Sequence, residues 1–260
     1  MTAPVNIICM KWGAMYGPEY VNRLHAGVRR HLQRPHRFVC FTDTSEGLDP
    51  GIEVMPLPPL GLPEGHNDRR WQKLAVFGHT LGDLQGSTLF LDLDLVVVDS
   101  LEPFFDRPGK FLIIRDADLF KPKWRRKLVN PERDRFLRVI GNSSVFRFEI
   151  GQQAYILDNF VADPDAATRQ YPMSQQYQSA QLAAHGELEY WPRGWCVSFK
   201  NDCVPQFPRN WFADPTLPDG AKIVVFAGRL KMSEVIAGGG QRLHRHIGDV
   251  DWLRKAWMAP

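Results

Sequence analysis

Cysteine is scarce in this chain, and what there is does not pair. Four cysteines, Cys9, Cys40, Cys196 and Cys203, are spread over 260 residues, and no two form a C-x-x-C unit. A zinc site is therefore not expected. Cys9 and Cys40 lie in apolar runs, where a free thiol acts as a small hydrophobe. Charge of one sign is also lacking. A net charge of +3 is too small to point to nucleic acid, and no nucleic-acid-binding signature accompanies it. No apolar run approaches the length needed to cross a bilayer. The N-terminus lacks the basic flank and long apolar core of a secretory signal. A reduced, cytoplasmic protein is the expectation. Internal repeats, low-complexity tracts and linkers are missing as well, so residues 1–260 are expected to form a single domain.

What is present is ordinary for a soluble globular protein, with 44% hydrophobic and 23% charged residues. A chain this long can bury a large core as one α/β domain. Val5 to Met10 reads as a first strand. Val21, Leu24, Val28 and Leu32 then recur at helical spacing behind Pro18, predicting a helix from Glu19 to Leu32. Arg37 to Thr42 is a second strand, and Ile52 to Met55 a short one inside a Pro/Gly-rich loop. Trp71, Leu74, Ala75, Gly78 and Leu81 mark a second helix. Further strands are expected at Phe111 to Arg115, Val145 to Phe148, Leu188 to Trp191, Cys196 to Phe199 and Ile223 to Phe226. Helices are expected at Gly151 to Val161, Ser174 to Ala184 and Asp251 to Trp257. Strands alternating with helices predict a mostly parallel sheet with helices on both faces.

The most informative stretch runs from Thr88 to Val98, TLFLDLDLVVV. It reads as one strand buried on both faces that nevertheless carries Asp92 and Asp94. A buried carboxylate is costly unless it is paired or holds a metal. Hard cations such as Mg²⁺ and Mn²⁺ take oxygen ligands, often one or two carboxylates plus substrate phosphates. The pair is a candidate seat for a metal–diphosphate; capping of the strand end, or pairing with a nearby Arg, is the plainer alternative. Sites in parallel sheets lie at the carboxyl ends of strands. Lys11-Trp12-Gly13, Thr42-Asp43 and Asp92-Leu93-Asp94 all fall there.

The order of these motifs resembles a family: bacterial glycosyltransferases with the GT-A fold, related to glycogenin and the lipopolysaccharide galactosyltransferases. The resemblance is carried by Met10-Lys11-Trp12-Gly13, Tyr16 to Leu24, Phe38 to Asp43, Trp71-Gln72-Lys73-Leu74, Leu91 to Asp94, Asn142 to Phe146, Trp195 to Lys200 and Val225 to Arg229. It implies a Rossmann-like GT-A domain, with a nucleotide-binding half over residues 1–100 and an acceptor and sugar half over 101–260. It implies a nucleotide-sugar donor, UDP-linked, and a glycan or lipid-linked acceptor. Lys11, Trp12, Gly13, Thr42 and Asp43 would hold base and ribose. Asp92 and Asp94 would hold Mn²⁺ or Mg²⁺, Lys73 would reach nucleotide or sugar, and Asn142-Ser143 would line the sugar pocket. Lys200 and Arg229 would neutralise the diphosphate. The plain readings of these residues are packing for Trp12, a capped turn for Thr42-Asp43 and Asn142-Ser143, and surface charge for Lys73, Lys200 and Arg229.

The second half of the chain departs from the family pattern. A Phe-His-Gly-Arg strand end, whose His completes the metal site, reads Phe226-Ala227-Gly228-Arg229 here. His244 and His246 are the nearby replacements, with His244 the candidate ligand. The Asp-Gln-Asp-Tyr helix start reads Ser174-Gln175-Gln176-Tyr177, which leaves Gln175 and Gln176 at the expected catalytic position without either carboxylate. The Gly of Asn-Ser-Gly is Ser144. Lys121 to Lys127, KPKWRRK, is either a solvated insertion or a contact with an acidic acceptor or anionic inner-membrane surface. Two functions follow: a metal-dependent glycosyltransferase making a surface glycan, or a GT-A-fold nucleotide- or glycan-binding protein that has lost turnover. A nucleotidyltransferase is disfavoured, because no Gly-rich phosphate loop follows the first strand.

Overall fold

The structure is a computed structural model and describes residues 4–62, 69–120, 129–226, 228, 230–241 and 246–259. Ten strands run in chain order: β1 Val5–Lys11, β2 His36–Thr42, β3 Glu53–Met55, β4 Ser87–Leu91, β5 Leu95–Val97, β6 Leu112–Arg115, β7 Gly141–Glu149, β8 Glu189–Tyr190, β9 Cys196–Ser198 and β10 Ile223–Val225. The α-helices are α1 Pro18–His31, α2 Glu102–Asp106, α3 Asp116–Leu119, α4 Pro131–Val139, α5 Tyr155–Ala162, α6 Pro164–Gln170, α7 Ser174–Ala184, α8 Met232–Ile236 and α9 Asp251–Met258.

The large sheet has the order β3-β2-β1-β4-β7-β6-β8. Only β7 opposes its neighbours, pairing antiparallel with both β4 and β6. The expectation of an α/β fold with a mostly parallel sheet is met. A second sheet, β5-β10-β9, stands apart from the first. Helices cover both faces of the large sheet, and β1 shows why. Its residues alternate, so that Ile7 and Cys9 pack with Val21, Leu24 and Val28 of α1. Ile8 and Met10 instead join Leu74, Phe77, Phe90, Phe146 and Phe160 on the other face. Burying each such side chain contributes about 1.5–3 kcal/mol. α1 starts with Pro18 and Glu19 and ends with Arg29, Arg30 and His31, charges that suit its dipole.

Three expectations are corrected. The run from Thr88 to Val98 is not one strand. β4 ends at Leu91, Asp92-Leu93-Asp94 turns, and β5 begins at Leu95 in the other sheet. The backbone of the turn is tied to both sides: Asp92 N–H donates to Ser144 O at 2.9 Å, and Asp94 O accepts from Phe226 N–H at 2.8 Å. The second helix is a 3₁₀ helix, Arg69–Phe77, that stops short of Leu81. Asn142, Ser143 and Ser144 lie within β7 rather than opening it, because they continue its pairing toward β6 at Ile114 and Arg115.

Candidate active site

A cavity of about 490 Å³ opens at the carboxyl edge of β1 and β4. Lys11 and Trp12 line it from the end of β1, and Asp92, Leu93 and Asp94 from the turn after β4. Lys73 reaches it from the 3₁₀ helix, Ser143 and Ser144 from β7, and Ser174 and Gln175 from the first turn of α7. Lys11, Trp12, Asp92 and Asp94 are the residues expected at this edge from their places at strand ends; Thr42 and Asp43, expected with them, are not in the lining.

The two carboxylates have different surroundings. Lys73 Nζ donates to Asp92 Oδ1 at 2.7 Å, to Asp92 Oδ2 at 2.9 Å and to Ser143 O at 3.0 Å. It also lies 4.9 Å from the centre of the Phe90 ring. Asp94 has no such counter-ion. Its Oδ2 accepts from the Tyr16 hydroxyl at 3.5 Å. Its Oδ1 is buried and has no hydrogen-bond partner. Burial, and then the charge of Asp92, push the Asp94 carboxyl up to about 7, while Lys73 pulls the other way. The Tyr16 hydroxyl is raised too, by burial and then by Asp94 and Asp92.

Asp43 lies beside this cavity and shapes its rim. Its Oδ2 accepts the Gly13 N–H at 3.0 Å and stands 4.0 Å from Arg69 Nη1. Gly13 has φ +61°, a conformation that favours glycine. Thr42 is buried and turns inward, its hydroxyl donating to Thr44 O at 2.9 Å. That is the capped turn weighed against a binding role. Asn142 donates to Asp116 Oδ1 at 3.2 Å and accepts from Ser144 N–H at 3.1 Å. Gln175 Nε2 reaches the same Asp116 oxygen at 3.5 Å. Gln176 is buried and lies outside the cavity lining, as does Lys200, which is exposed on the π-helical turn Phe199–Cys203. Ala227, Arg229, His244 and the segment Lys121 to Lys127 lie outside the described residues.

The lining also includes Met15, Tyr16, Arg69, Arg70 and Met173, none of them named as a site residue from sequence. Arg69 and Arg70 directly precede Trp71-Gln72-Lys73, so their proximity to Lys73 was a usable signal. Tyr16 sits in the loop after β1, at the edge where sites are expected.

No protein-family model matches the sequence, and no curated protein is similar to it in sequence. Solved structures do share its architecture. WbbM, a bifunctional glycosyltransferase, superposes with TM-score 0.59 at 12% identity over 89% of this chain. The chain spans 47% of WbbM's length, so it matches about half of that protein. The galactosyltransferase LgtC, solved in complex with donor and acceptor sugar analogs, gives 0.56 at 15% identity, covering 87% of this chain and 88% of LgtC. Mouse xyloside xylosyltransferase 1 gives 0.55 at 12% identity, covering 87% and 98%.

The chain has the GT-A glycosyltransferase fold.

Within the GT-A fold, the cavity lies where the large sheet meets the turn that passes to the small one. It brings Lys11, Arg69, Arg70 and Lys73 around two carboxylates, one of which Lys73 already neutralises. Gln175 and Ser174 add neutral hydrogen-bonding groups at another part of its wall.

Proposed function

We propose that this chain transfers a sugar from a nucleotide-sugar, UDP-linked, to a glycan or a lipid-linked acceptor. The observation that carries the reading is the cavity itself: four basic side chains and the Asp92/Asp94 pair at the carboxyl edge of a GT-A-fold sheet. Breaking the bond between sugar and diphosphate builds negative charge on the leaving oxygen. Fixed cations stabilise that charge as it develops. In this reading Lys11, Arg69 and Arg70 hold the diphosphate, Lys73 adds positive charge beside it while holding Asp92, and the Asp43–Gly13 rim holds base and ribose. Ser143, Ser174 and Gln175 orient the sugar by hydrogen bonds, and the sugar passes through an oxocarbenium-like state. Retention of anomeric configuration follows only from the family resemblance.

A divalent cation, Mn²⁺ or Mg²⁺, belongs to this proposal. The residues fit it in chemistry: oxygen donors, and an Asp94 oxygen buried without a partner. Asp94 and Asp92 would hold the ion. Among the described residues no group of three His, Cys, Asp or Glu side chains could hold a metal; His244, outside them, is the further ligand the sequence offers, and phosphate and water would complete the shell. When bound it would supply positive charge to the leaving diphosphate.

A second reading is supported by α7. Its first turn carries no acidic residue, whereas the family pattern has two carboxylates there. In that reading the chain binds nucleotide or glycan without turnover. Thermal shift with UDP and Mn²⁺, followed by an assay of UDP release from a panel of UDP-sugars, separates the possibilities. No stabilisation rejects the nucleotide-sugar site; stabilisation without release selects the binding protein. Among the described residues no helix is long and apolar enough to cross a membrane. Work at the cytoplasmic face of the inner membrane, with contact through Lys121 to Lys127, remains part of the proposal.

A further inference from the structure

Gln175 lines the donor cavity from the first turn of α7, a turn that has no acidic residue of its own. A carboxylate reaches it from another element. Asp116 is the first residue of α3, directly after β6, and lies outside the cavity lining. Its Oδ1 accepts from Asn142 Nδ2 at 3.2 Å and from Gln175 Nε2 at 3.5 Å. One oxygen thus gathers two amides, one from β7 and one from α7.

Chemistry fixes which way round both amides lie. An ionised carboxylate only accepts hydrogen bonds, so an amide beside it must offer its NH₂ edge and turn its oxygen away. Asn142 bears this out, because its Oδ1 accepts Ser144 N–H at 3.1 Å. Turned round, it would set oxygen against oxygen and NH₂ against N–H. Asn142 is buried and spent on this network. Gln175 is not spent: its Oε1 has no partner among the described residues, and the residue faces the cavity. The frame around the contact is held by backbone. Asp116 N–H donates to Ile140 O at 3.0 Å. The Ser179 hydroxyl donates to Gln175 O at 2.6 Å and accepts Gly141 N–H at 2.8 Å, which ties the first turn of α7 to the start of β7.

We propose that Asp116 is a positioning residue, which turns Gln175 so that its amide oxygen, and not its NH₂ group, is presented to the donor sugar. An oxygen there does two things an NH₂ group cannot. It accepts a hydrogen bond from a sugar hydroxyl, and it favours the positive charge that grows at the anomeric carbon as the bond to diphosphate breaks. The carboxylate behind it also polarises the amide and makes that oxygen more negative. Asp116 thereby supplies, through Gln175, negative charge that the first turn of α7 lacks. This role rests on the sugar-transfer reading; the Asp116–Gln175 coupling itself does not.

The test exchanges the two chemistries in a double-mutant cycle on the full chain. Gln175→Glu sets a second carboxylate against Asp116. Asp116→Asn combined with Gln175→Glu restores one carboxylate and one amide in reverse order. At pH 8 Gln175→Glu is expected to melt about 3 °C below wild type, through like-charge repulsion, and the double variant to recover at least half of that loss. Asp116→Asn alone leaves an amide that can pair with Gln175 either way round. Its kcat for UDP release, with the UDP-sugar that wild type turns over fastest, is expected to fall about tenfold with KM little changed. A merely structural Asp116 would give losses that add. The proposal is overturned if the melting losses of the single variants simply add, or if Asp116→Asn turns over as wild type does. A wild type that shows no thermal shift with UDP and Mn²⁺ rejects the donor site, and with it the role of the oxygen, while the melting cycle still decides the contact.

Discussion

Lys73 grips both oxygens of the Asp92 carboxylate, at 2.7 and 2.9 Å, while Asp94, two residues on, buries one oxygen without any partner. Adjacent carboxylates are thereby made unequal. One is a settled half of an ion pair; the other is unsatisfied and open to a proton or a cation.

The Lys73–Asp92 pair is mostly shielded from solvent, at 16% and 26% side-chain exposure. Lys73→Met should destabilise the fold by about 1–3 kcal/mol, since it strands a partly buried carboxylate. The double variant Lys73→Met, Asp92→Asn should recover most of that loss. Urea titrations of both single variants and the double variant measure the coupling. Equal losses that simply add would show that the pair contributes nothing.

Asp94 sets a pH dependence. Its carboxyl is raised from 3.8 to about 7 in the folded chain. Below the lower value both folded and unfolded states are protonated, and there is no penalty. Between the two values the unfolded chain has lost the proton and the folded chain keeps it, so stability falls as pH rises. Above about 7 the full penalty is present and constant. Asp94→Asn should therefore gain melting temperature over wild type progressively from pH 4 to pH 7, by a few degrees, and no further above that. A gain that is flat across the range would place the titrating group elsewhere.

The same carboxylate should couple metal to pH. A proton and a divalent cation compete for Asp94. The extra stabilisation that Mn²⁺ gives to the UDP complex should be weak at pH 5.5 and strong at pH 8. Thermal shift at both pH values checks this; an equal metal effect at the two would move the metal elsewhere.

Much of this was legible in the residues. The alternation of Ile7, Ile8, Cys9 and Met10 and the spacing of Val21, Leu24 and Val28 each reflect burial against one partner face. The Asp92–Asp94 turn was not legible as a turn. Leu91 and Leu95 are buried on either side, and Leu93 is buried between them, so a chain passing from one sheet to another looks like a single apolar strand. The role of Lys73 as the Asp92 partner was hidden for a different reason. Nineteen positions separate them, and only the fold brings them together. The antiparallel direction of β7 likewise leaves no mark in its own sequence, since a strand buried on both faces reads the same either way.

Ser174 offers a gain-of-function test. It begins α7, whose first turn has no acid to meet the helix dipole. Ser174→Asp should stabilise the chain by about 0.5 kcal/mol. It should also raise UDP release if the missing carboxylate limits turnover. Stabilisation with unchanged UDP release would show that the charge is not what turnover lacks.

Asp43 holds the rim by accepting Gly13 N–H and lies near Arg69. Asp43→Ala should weaken UDP affinity about tenfold while changing stability by no more than ~1 kcal/mol, because the pair is half exposed. A variant that binds UDP as wild type does would remove the rim from the nucleotide site.

The most direct test is calorimetric titration of the chain with UDP in the presence of Mn²⁺. The account predicts one UDP bound per chain, at least tenfold more weakly in Asp94→Ala and in Arg69→Ala. A wild-type chain that gives no binding heat and no thermal shift with UDP would contradict it.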